Sequence, residues 1–200
     1  MTDWNELYRI GGVPWEKGAA APPLLSWMAR YSALTGDVLV PGCGFGHDVR
    51  AIAVASPDAR VVGLDVAPLA LAQAKKYPKA GNESYLCADL LRLPAELVGT
   101  FDWVFEHTCF CAISPGQRAD YVHAVATALR RSGQVLGIFF LEPWDPGEET
   151  PPEGGPPFGV SIEELKEFFL PKFELVQEER PKTSYPGREG RESLWLLRKR

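Results

Sequence analysis

The amino-acid sequence predicts an α/β domain with a mostly parallel sheet of seven strands and helices on both of its faces. Between residues 38 and 141, short apolar runs alternate with helical patterns, which is typical of strand–helix–strand units. A glycine-rich turn follows the first run, and two further strand-like runs stand near the end of the chain. With 200 residues, of which 46% are hydrophobic and 24% charged, the chain has the size and composition of one globular domain, to which we assign residues 1–200.

Five apolar runs predict the parallel strands. They cover residues 38–42, 61–64, 83–87, 101–105 and 135–141. The second run ends directly before Asp65, and a turn over residues 130–133 leads into the fifth. Short apolar runs bounded by turn signals have the length and composition of strands that are buried on both faces of a sheet.

Helical patterns fill the segments between these runs. They cover residues 48–55, 68–76, 115–129 and 162–169. Pro68 falls in the first turn of its helix, where the missing N–H costs little. The third pattern places Tyr121, Val125 and Leu129 on one face, as a helix that packs on a sheet requires.

Two segments lie outside the alternating pattern. Residues 1–23 form an aromatic lead that contains glycine and proline, and residues 142–158 form a loop rich in proline and glycine. Long loops in compact domains are usually functional lids or disordered. We therefore expect both segments to cover a ligand site. After them, residues 173–177 and 193–197 predict a closing antiparallel hairpin.

Charge and hydropathy narrow the class of ligand. A formal net charge of −5 argues against electrostatic binding of nucleic acid. No stretch reaches the roughly 18 to 20 apolar residues that a membrane span needs, and the N-terminus shows no basic region followed by an apolar run. We expect a cytoplasmic protein, monomeric or weakly dimeric, that binds a small molecule and neither nucleic acid nor membrane.

The four cysteines predict neither a metal site nor disulfides. Cys43, Cys87, Cys109 and Cys111 lack the paired spacing of zinc ligands, and each stands in an apolar stretch. We therefore expect reduced thiols in the core and no bound metal.

The sharpest local signal is the turn Val40-Pro-Gly42-Cys-Gly44-Phe-Gly46, which joins the first strand to a helix. Glycine lets the backbone approach a ligand where a Cβ would collide, and it permits positive φ at a turn. A glycine-rich turn alone is also found where nothing binds. Its context therefore decides the interpretation.

Acids at the ends of the next two strands supply that context. Asp65 follows the second strand, about 19 residues beyond Gly46, where a carboxylate can accept hydrogen bonds from both hydroxyls of a ribose. Asp89 follows the third strand, where it can accept from the exocyclic amine of an adenine. Alternatively, Asp65 caps the helix near Pro68 and Asp89 caps a loop. Because the carboxyl ends of parallel strands share one edge, the joint placement favours a nucleoside-containing cofactor.

The glycine spacing separates two classes of cofactor. Dinucleotide sites carry Gly-x-Gly-x-x-Gly, which seats a pyrophosphate at a helix N-terminus, whereas this turn is Gly-x-Gly-x-Gly. Nicotinamide-binding folds seldom place an acid where Asp89 stands, and the chain has no Tyr-x-x-x-Lys pair. We therefore expect S-adenosylmethionine. The alternatives are a nicotinamide-dependent oxidoreductase and a catalytically silent cofactor-binding module.

Longer stretches resemble the thiopurine S-methyltransferase family, which also includes halide, thiocyanate and thiol methyltransferases. They are Trp4-x-x-x-Tyr8-x-x-x-Gly12-Val-Pro-Trp15 and Pro22-Pro-Leu24 near the start, Glu106-His107-Thr-Cys-Phe110-Cys-Ala-Ile113 and Pro115-Gly-x-Arg118-x-x-Tyr121 in the middle, and Gly155-Pro-Pro-Phe158-Gly-Val and Gly187-Arg-Glu-Gly190-Arg-Glu towards the end. The resemblance covers almost the whole chain. It implies the Rossmann-like fold of class I methyltransferases, with S-adenosylmethionine as cofactor and a small-molecule methyl acceptor.

The same resemblance implies which residues bind the cofactor. They are Trp4, Trp15 and Leu24 in the covering N-terminal segment, Gly42, Gly44 and Gly46 in the turn, Asp65 and Val66 after the second strand, Asp89 and Leu90 after the third, and Glu106 after the fourth. Gly42 would approach the methionine part and Asp65 would hold the ribose. Asp89 and Leu90 would frame the adenine.

Glu106 and His107 match the position where family members place an acid or a polar residue beside the reacting centre. Either one is a candidate to take a proton from a neutral acceptor, and an unperturbed pKa of about 6.5 makes histidine the better candidate near neutrality. The alternative for His107 is a purely structural role.

The acceptor class follows from the same strand end. Human-type thiopurine enzymes have an arginine where His107 stands, so the halide and thiol branch is the closer one. Soft nucleophiles need little or no help from a base. We expect a thiol, hydrosulfide, halide or thiocyanate as acceptor, with methyl transfer to oxygen or nitrogen of a small molecule as the alternative.

Overall fold

The computed structural model describes residues 2–145 and 155–200. Within these residues the apolar runs form seven strands. They are β1 (Val38–Pro41), β2 (Val61–Asp65), β3 (Glu83–Cys87), β4 (Phe101–His107), β5 (Leu129–Phe140), β6 (Phe173–Glu179) and β7 (Glu192–Lys199). In space the strands stand in the order β3-β2-β1-β4-β5-β7-β6, in one sheet.

The direction of pairing changes once across the sheet. β1 pairs in parallel with β2 and β4, β2 with β3, and β4 with β5. β7 is antiparallel to both β5 and β6. The predicted architecture, a mostly parallel seven-stranded sheet closed by an antiparallel hairpin, is confirmed.

Helices connect these strands. In the described residues they are α1 (Trp4–Ile10), α2 (Pro22–Tyr31), α3 (His47–Ala55), α4 (Pro68–Ala74), α5 (Arg118–Ala128) and α6 (Ile162–Phe169), with short 3₁₀ turns at Leu90–Arg92, Ala95–Leu97, Phe110–Ala112 and Pro115–Gln117. The last of these turns leads directly into α5, so the helix predicted from residue 115 begins in 3₁₀ form.

Two hydrophobic cores lie on opposite faces of the sheet. Val38 and Val40 of β1 pack in one core with α2 and α3, whereas Leu39 lies in the other core with α5 and α6. Successive side chains of a strand point to opposite faces, so a strand that is covered on both must be apolar throughout. This is why uninterrupted apolar runs predicted β1, β2 and the buried part of β5, residues 135–140, well.

The start of β5 differs from the prediction. The strand begins at Leu129 rather than 135, and residues 130–133 belong to it instead of forming a turn. Its pairing with β4 shifts from Phe101–Leu129 to Trp103–Gln134, and Ser132 has a φ of 62°. Extra residues in one strand of a pair are accommodated as a bulge, which uses the same serine and glycine signals as a turn.

Two further predictions are corrected at the N-terminal lead and at the end of β4. The lead contains helix α1 and the first two residues of α2, and neither helix was predicted from the sequence. β4 runs two residues beyond its predicted end, so Glu106 and His107 belong to the strand itself.

The cysteines are free thiols, but they are not all in the core. Cys111 is buried and Cys43 and Cys109 are half-buried, whereas Cys87 at the end of β3 is exposed. The prediction of a core position is therefore wrong for Cys87, because β3 is an edge strand with open positions on its surface.

The structure describes only part of the predicted lid loop. Residues 146–154 of the predicted lid loop 142–158 lie outside the described residues.

Among the helices that the structure describes, none has both the length and the apolar character of a membrane span.

Candidate active site

The strand order reverses beside β1, because β2 and β3 lie on one side of it and β4 on the other. In open α/β sheets, ligands bind outside the carboxyl ends of the strands at such a switch point. The glycine turn and Asp89 follow β1 and β3, Asp65 is the last residue of β2, and Glu106 and His107 end β4. The structure therefore brings the predicted polar residues to one edge of the sheet.

The glycine turn requires residues without side chains. Gly42, Gly44 and Gly46 have positive φ values of 59°, 52° and 72°, a region that other residues rarely adopt. Gly46 is the N-cap of α3, and a Cβ on it would stand 2.5 Å from the hydroxyl oxygen of Tyr85. The turn thus places bare backbone at the end of β1.

Asp65 fixes this turn from the neighbouring strand. Its side chain is 6% exposed, and its Oδ2 accepts a hydrogen bond from Gly44 N at 2.9 Å while its Oδ1 accepts from Ala67 N at 2.9 Å. Burial raises the pKa of this carboxyl, and the N–H groups of Ala67 and Gly44 oppose the shift. Asp65 therefore fixes the turn that leads into α4 but is not the cap of that helix, because the N-cap is Ala67, and it also organises the glycine turn.

Asp89 and its neighbours form the next part of the edge. Asp89 is half-buried, and its Oδ1 accepts from Leu91 N at 2.9 Å, which is the loop cap that was the alternative to adenine binding. Leu90 is buried, and Val66 beyond β2 is exposed. This part of the edge therefore has one buried apolar side chain, that of Leu90, and one exposed apolar side chain, that of Val66.

Aromatic side chains of the N-terminal segment pack over the glycine turn. The ring of Tyr8 lies 5.4 Å from that of Phe45 in the turn, and Tyr8 Oη accepts a hydrogen bond from Trp15 Nε1 at 3.1 Å. Trp4 in turn contacts Trp15, with ring centroids 5.5 Å apart. Trp4 and Trp15 therefore reach the site through Tyr8, a residue that sequence reasoning did not single out.

The end of the same segment is fastened to the first turn of α3. Glu16 Oε1 lies 2.9 Å from His47 Nε2, and Ala21 N donates to Asp48 Oδ1 at 2.7 Å. By contrast, Leu24 is fully buried in the core around α2. Leu24 thus anchors the segment from below.

Glu106 holds the chain as it leaves β4. Its side chain is 1% exposed; Oε1 accepts from Cys109 N at 3.0 Å and Phe110 N at 2.8 Å, and Oε2 accepts from the hydroxyl of Tyr121. Burial raises the pKa of the Glu106 carboxyl, while the bonds from Phe110 and Tyr121 oppose that shift. Both carboxylate oxygens are therefore occupied within the protein.

His107 lies in a cluster of buried charged groups. It is 9% exposed, with Nδ1 at 2.9 Å from Asp48 Oδ2 and Nε2 at 3.4 Å from Arg188 Nη1. The ring of Tyr185 stacks on it at 5.9 Å, and Arg188 also faces Glu192 at 3.5 Å.

Sequence reasoning did not assign site roles to Asp48, Tyr185 or Arg188. Asp48 stands two residues beyond Gly46 of the glycine turn, and Arg188 lies in the Gly187-to-Glu192 stretch that carried part of the resemblance. These two positions are the only features of the sequence that point to Asp48 and Arg188. Asp48 is 59 residues from His107 and Arg188 is 81 residues away, so only the folded chain joins them.

The residues at this edge fit S-adenosylmethionine by the chemistry of their donors and acceptors. The glycine turn presents backbone without side chains. Each oxygen of Asp65 has a lone pair beyond the one it uses, which suits two ribose hydroxyls. Asp89 adds a carboxylate for an exocyclic amine, and a sulfonium charge is compatible with an edge that carries several acids.

Known proteins are similar to this chain over almost its whole length. A family model described as thiopurine S-methyltransferase matches residues 1–198. The probable thiol methyltransferase 2 of Arabidopsis thaliana is 33% identical over 202 residues, which cover 98% of this chain and 84% of that protein. Thiocyanate methyltransferase 1 of the same plant has the same identity and coverage.

A solved structure supports the fold at lower sequence identity. The crystal structure of Burkholderia thailandensis 1,6-didemethyltoxoflavin-N1-methyltransferase, with bound 1,6-didemethyltoxoflavin and S-adenosylhomocysteine, superposes with a TM-score of 0.73. Its sequence identity is 18%, and the match covers 98% of this chain and 85% of that chain.

Replacing Glu106 by glutamine should change how stability depends on pH. Burial raises the pKa of the folded carboxyl above its usual value of 4.5, so the folded protein holds this proton more tightly than the unfolded chain does. The wild-type protein therefore loses stability as pH rises from the usual value through the raised one. Glutamine keeps an acceptor oxygen for the two N–H groups but does not titrate in this range.

The measurement is urea denaturation of both proteins between about pH 4 and about pH 7. We expect the free energy of unfolding of the wild type, relative to that of E106Q, to fall as pH rises. A relative free energy that stays constant or rises would show that the hydrogen bonds outweigh burial.

Proposed function

This chain belongs to the thiopurine S-methyltransferase family, and from that premise we propose that it methylates a small soft nucleophile: a thiol, hydrosulfide, halide or thiocyanate. Membership makes it an S-adenosylmethionine-dependent methyltransferase. The observation that carries the choice of acceptor is the match, at 33% identity over 98% of the chain, to relatives named as thiol and thiocyanate methyltransferases.

The cofactor is held, in this proposal, along the edge from the glycine turn to the end of β3. The turn of Gly42, Gly44 and Gly46 receives the methionine part, Asp65 the ribose, and Asp89 with Leu90 and Val66 the adenine. When bound, the cofactor supplies a methyl group on a positively charged sulfur.

The N-terminal segment closes this site from above. Trp4 packs on Trp15 and Trp15 packs on Tyr8, which lies against Phe45 of the turn, so these rings exclude water from the same region. Leu24 supports the segment through the core. Excluding water matters because it strengthens electrostatic interactions and prevents side reactions of the methyl donor.

The protein contributes mainly orientation to such a displacement. Holding nucleophile and methyl carbon in line converts an encounter between two molecules into a reaction within one complex. His107, Tyr185 and Arg188 form the wall beside the end of β4, and the Arg188 guanidinium gives that wall a positive charge. An anionic nucleophile fits such a wall without a base.

A neutral thiol needs a group that takes its proton, and the geometry favours His107 over Glu106. Glu106 accepts three hydrogen bonds within the protein, two of them at Oε1, and is only 1% exposed, so we assign it to positioning the turn after β4. His107 has one ring nitrogen that faces Arg188 at 3.4 Å, longer than a well-formed hydrogen bond. That nitrogen is the candidate proton acceptor.

An acceptor panel tests the proposed chemistry. We expect methylation of an alkyl thiol, hydrosulfide, thiocyanate and iodide when each is supplied with S-adenosylmethionine, with formation of S-adenosylhomocysteine as the readout. A phenol and an aromatic amine serve as oxygen and nitrogen comparators, for which we expect slower turnover. Turnover of either comparator without turnover of any soft nucleophile would contradict the proposal.

Deleting residues 2–18 tests the covering role of the N-terminal segment. The deletion removes Trp4, Tyr8 and Trp15 but keeps Ala21, whose N–H bonds to Asp48. We expect affinity for S-adenosylhomocysteine to fall about 100-fold, which corresponds to about 2.7 kcal/mol. Because α1 has no buried residue, circular dichroism should report an intact core. Undiminished affinity would refute the covering role.

A further inference from the structure

Asp48 uses both of its carboxylate oxygens, and it uses them on two different parts of the chain. It stands in the first turn of α3, where the helix dipole favours a negative charge. Oδ1 accepts from Ala21 N at 2.7 Å, at the end of the N-terminal segment, and Oδ2 lies 2.9 Å from His107 Nδ1 at the end of β4. These two contacts together fix the orientation of the carboxylate.

The neighbours of His107 define its tautomer. A carboxylate can only accept, so the ring nitrogen that faces Asp48 must carry the hydrogen. The other nitrogen faces Arg188, whose guanidinium can only donate. Both neighbours therefore require the same form, with a hydrogen on Nδ1 and a lone pair on Nε2. Stacking against Tyr185 holds the plane of the ring.

We propose that Asp48 is a positioning residue that keeps the lone pair of His107 on Nε2, so that this nitrogen can take the proton of a neutral thiol acceptor. The inference rests on the proposed methylation of thiols. In this step the S–H bond of the acceptor breaks and its proton passes to Nε2. The acceptor sulfur forms the new bond to the methyl carbon, and the sulfonium C–S bond of the donor breaks with its electron pair remaining on the donor sulfur.

The charged groups around the pair are compatible with this step. Arg188 lies beside Nε2, so a positive charge stands next to the thiolate that forms. Glu192 faces Arg188 at 3.5 Å and balances that charge. Glu106 is the preceding residue on β4, but its oxygens are directed to the turn after the strand. In this cluster, Asp48 Oδ2 is the oxygen in hydrogen-bond contact with the imidazole.

Asp48→Asn inverts the tautomer while keeping the shape of the side chain. The amide oxygen can still accept from Ala21 N, whereas the amide NH₂ now donates to Nδ1 and moves the ring hydrogen to Nε2. In that form Nε2 cannot take a proton. An anionic acceptor such as thiocyanate has no proton to lose, so it reports on folding and cofactor binding alone.

The experiment compares kcat/KM for an alkyl thiol with kcat/KM for thiocyanate in each protein. For D48N we expect the thiol-to-thiocyanate ratio to fall on the order of 100-fold near pH 7, as expected when a general base is lost. Raising the pH towards the pKa of the thiol should restore much of the ratio, because the thiolate then forms in solution.

Three further variants complete the test. H107Q should lower the ratio as D48N does, and the double variant should lower it no further, because the two residues act as one unit. D37N removes the charge of an acid that is paired with Arg130 at the opposite edge of the sheet, and we expect it to leave the ratio unchanged.

The possible outcomes distinguish failure of the proposal for Asp48 from failure of the proposed function. Equal losses with thiol and thiocyanate in D48N would overturn the role of Asp48 as a positioning residue. If the wild-type protein binds S-adenosylhomocysteine but methylates neither thiol nor thiocyanate, the proposed function fails, and this inference fails with it.

Discussion

The site depends on the reversal of strand order beside β1. β2 and β4 lie on opposite sides of β1. The connections that follow β1 and β4 therefore start side by side, and a cleft opens between the carboxyl ends of these two strands. The glycine turn, Asp65, Asp89, Glu106 and His107 lie at the ends of parallel strands or shortly after them, whereas Tyr185 and Arg188 come from the segment before β7. The N-terminal segment, which packs on the glycine turn through Tyr8, adds to this arrangement but does not create it.

Buried carboxylates hold the turns that border the cleft. Asp65 accepts the N–H of Gly44 in the turn after β1, and Glu106 accepts the N–H groups of Cys109 and Phe110 in the turn after β4. Unpaired backbone N–H groups in such positions would cost free energy. The acids therefore set the backbone geometry of the site before any ligand arrives, and Asp48 does the same for a side chain, His107.

Local sequence patterns were sufficient for most of the fold and for the placement of the glycine turn, Asp65 and Asp89 at one edge of the sheet. Strands such as β1 and β2 are apolar on both faces, and the glycine turn and Asp65 stand at a recognisable spacing. The contacts of His107 with Asp48 and Arg188 were not predictable in the same way, because these residues meet only after α3, β4 and the segment before β7 have packed. Helix α1 has only seven residues, so its apolar residues Trp4, Leu7 and Tyr8 cover little more than one turn and did not stand out as a helical period. The bulge at Ser132 and a turn share the same residue types, which explains the misplaced start of β5.

The most direct test of this account is isothermal titration of the purified protein with S-adenosylmethionine, S-adenosylhomocysteine and NAD, together with the variants D65A and D65N. The account predicts binding of the two adenosyl compounds in the micromolar range and none of NAD. Loss of two hydrogen bonds in D65A should weaken binding about 100-fold, with D65N between it and the wild type because it keeps one acceptor oxygen. Binding of NAD alone, or unchanged affinity for S-adenosylhomocysteine in D65A, would contradict the account.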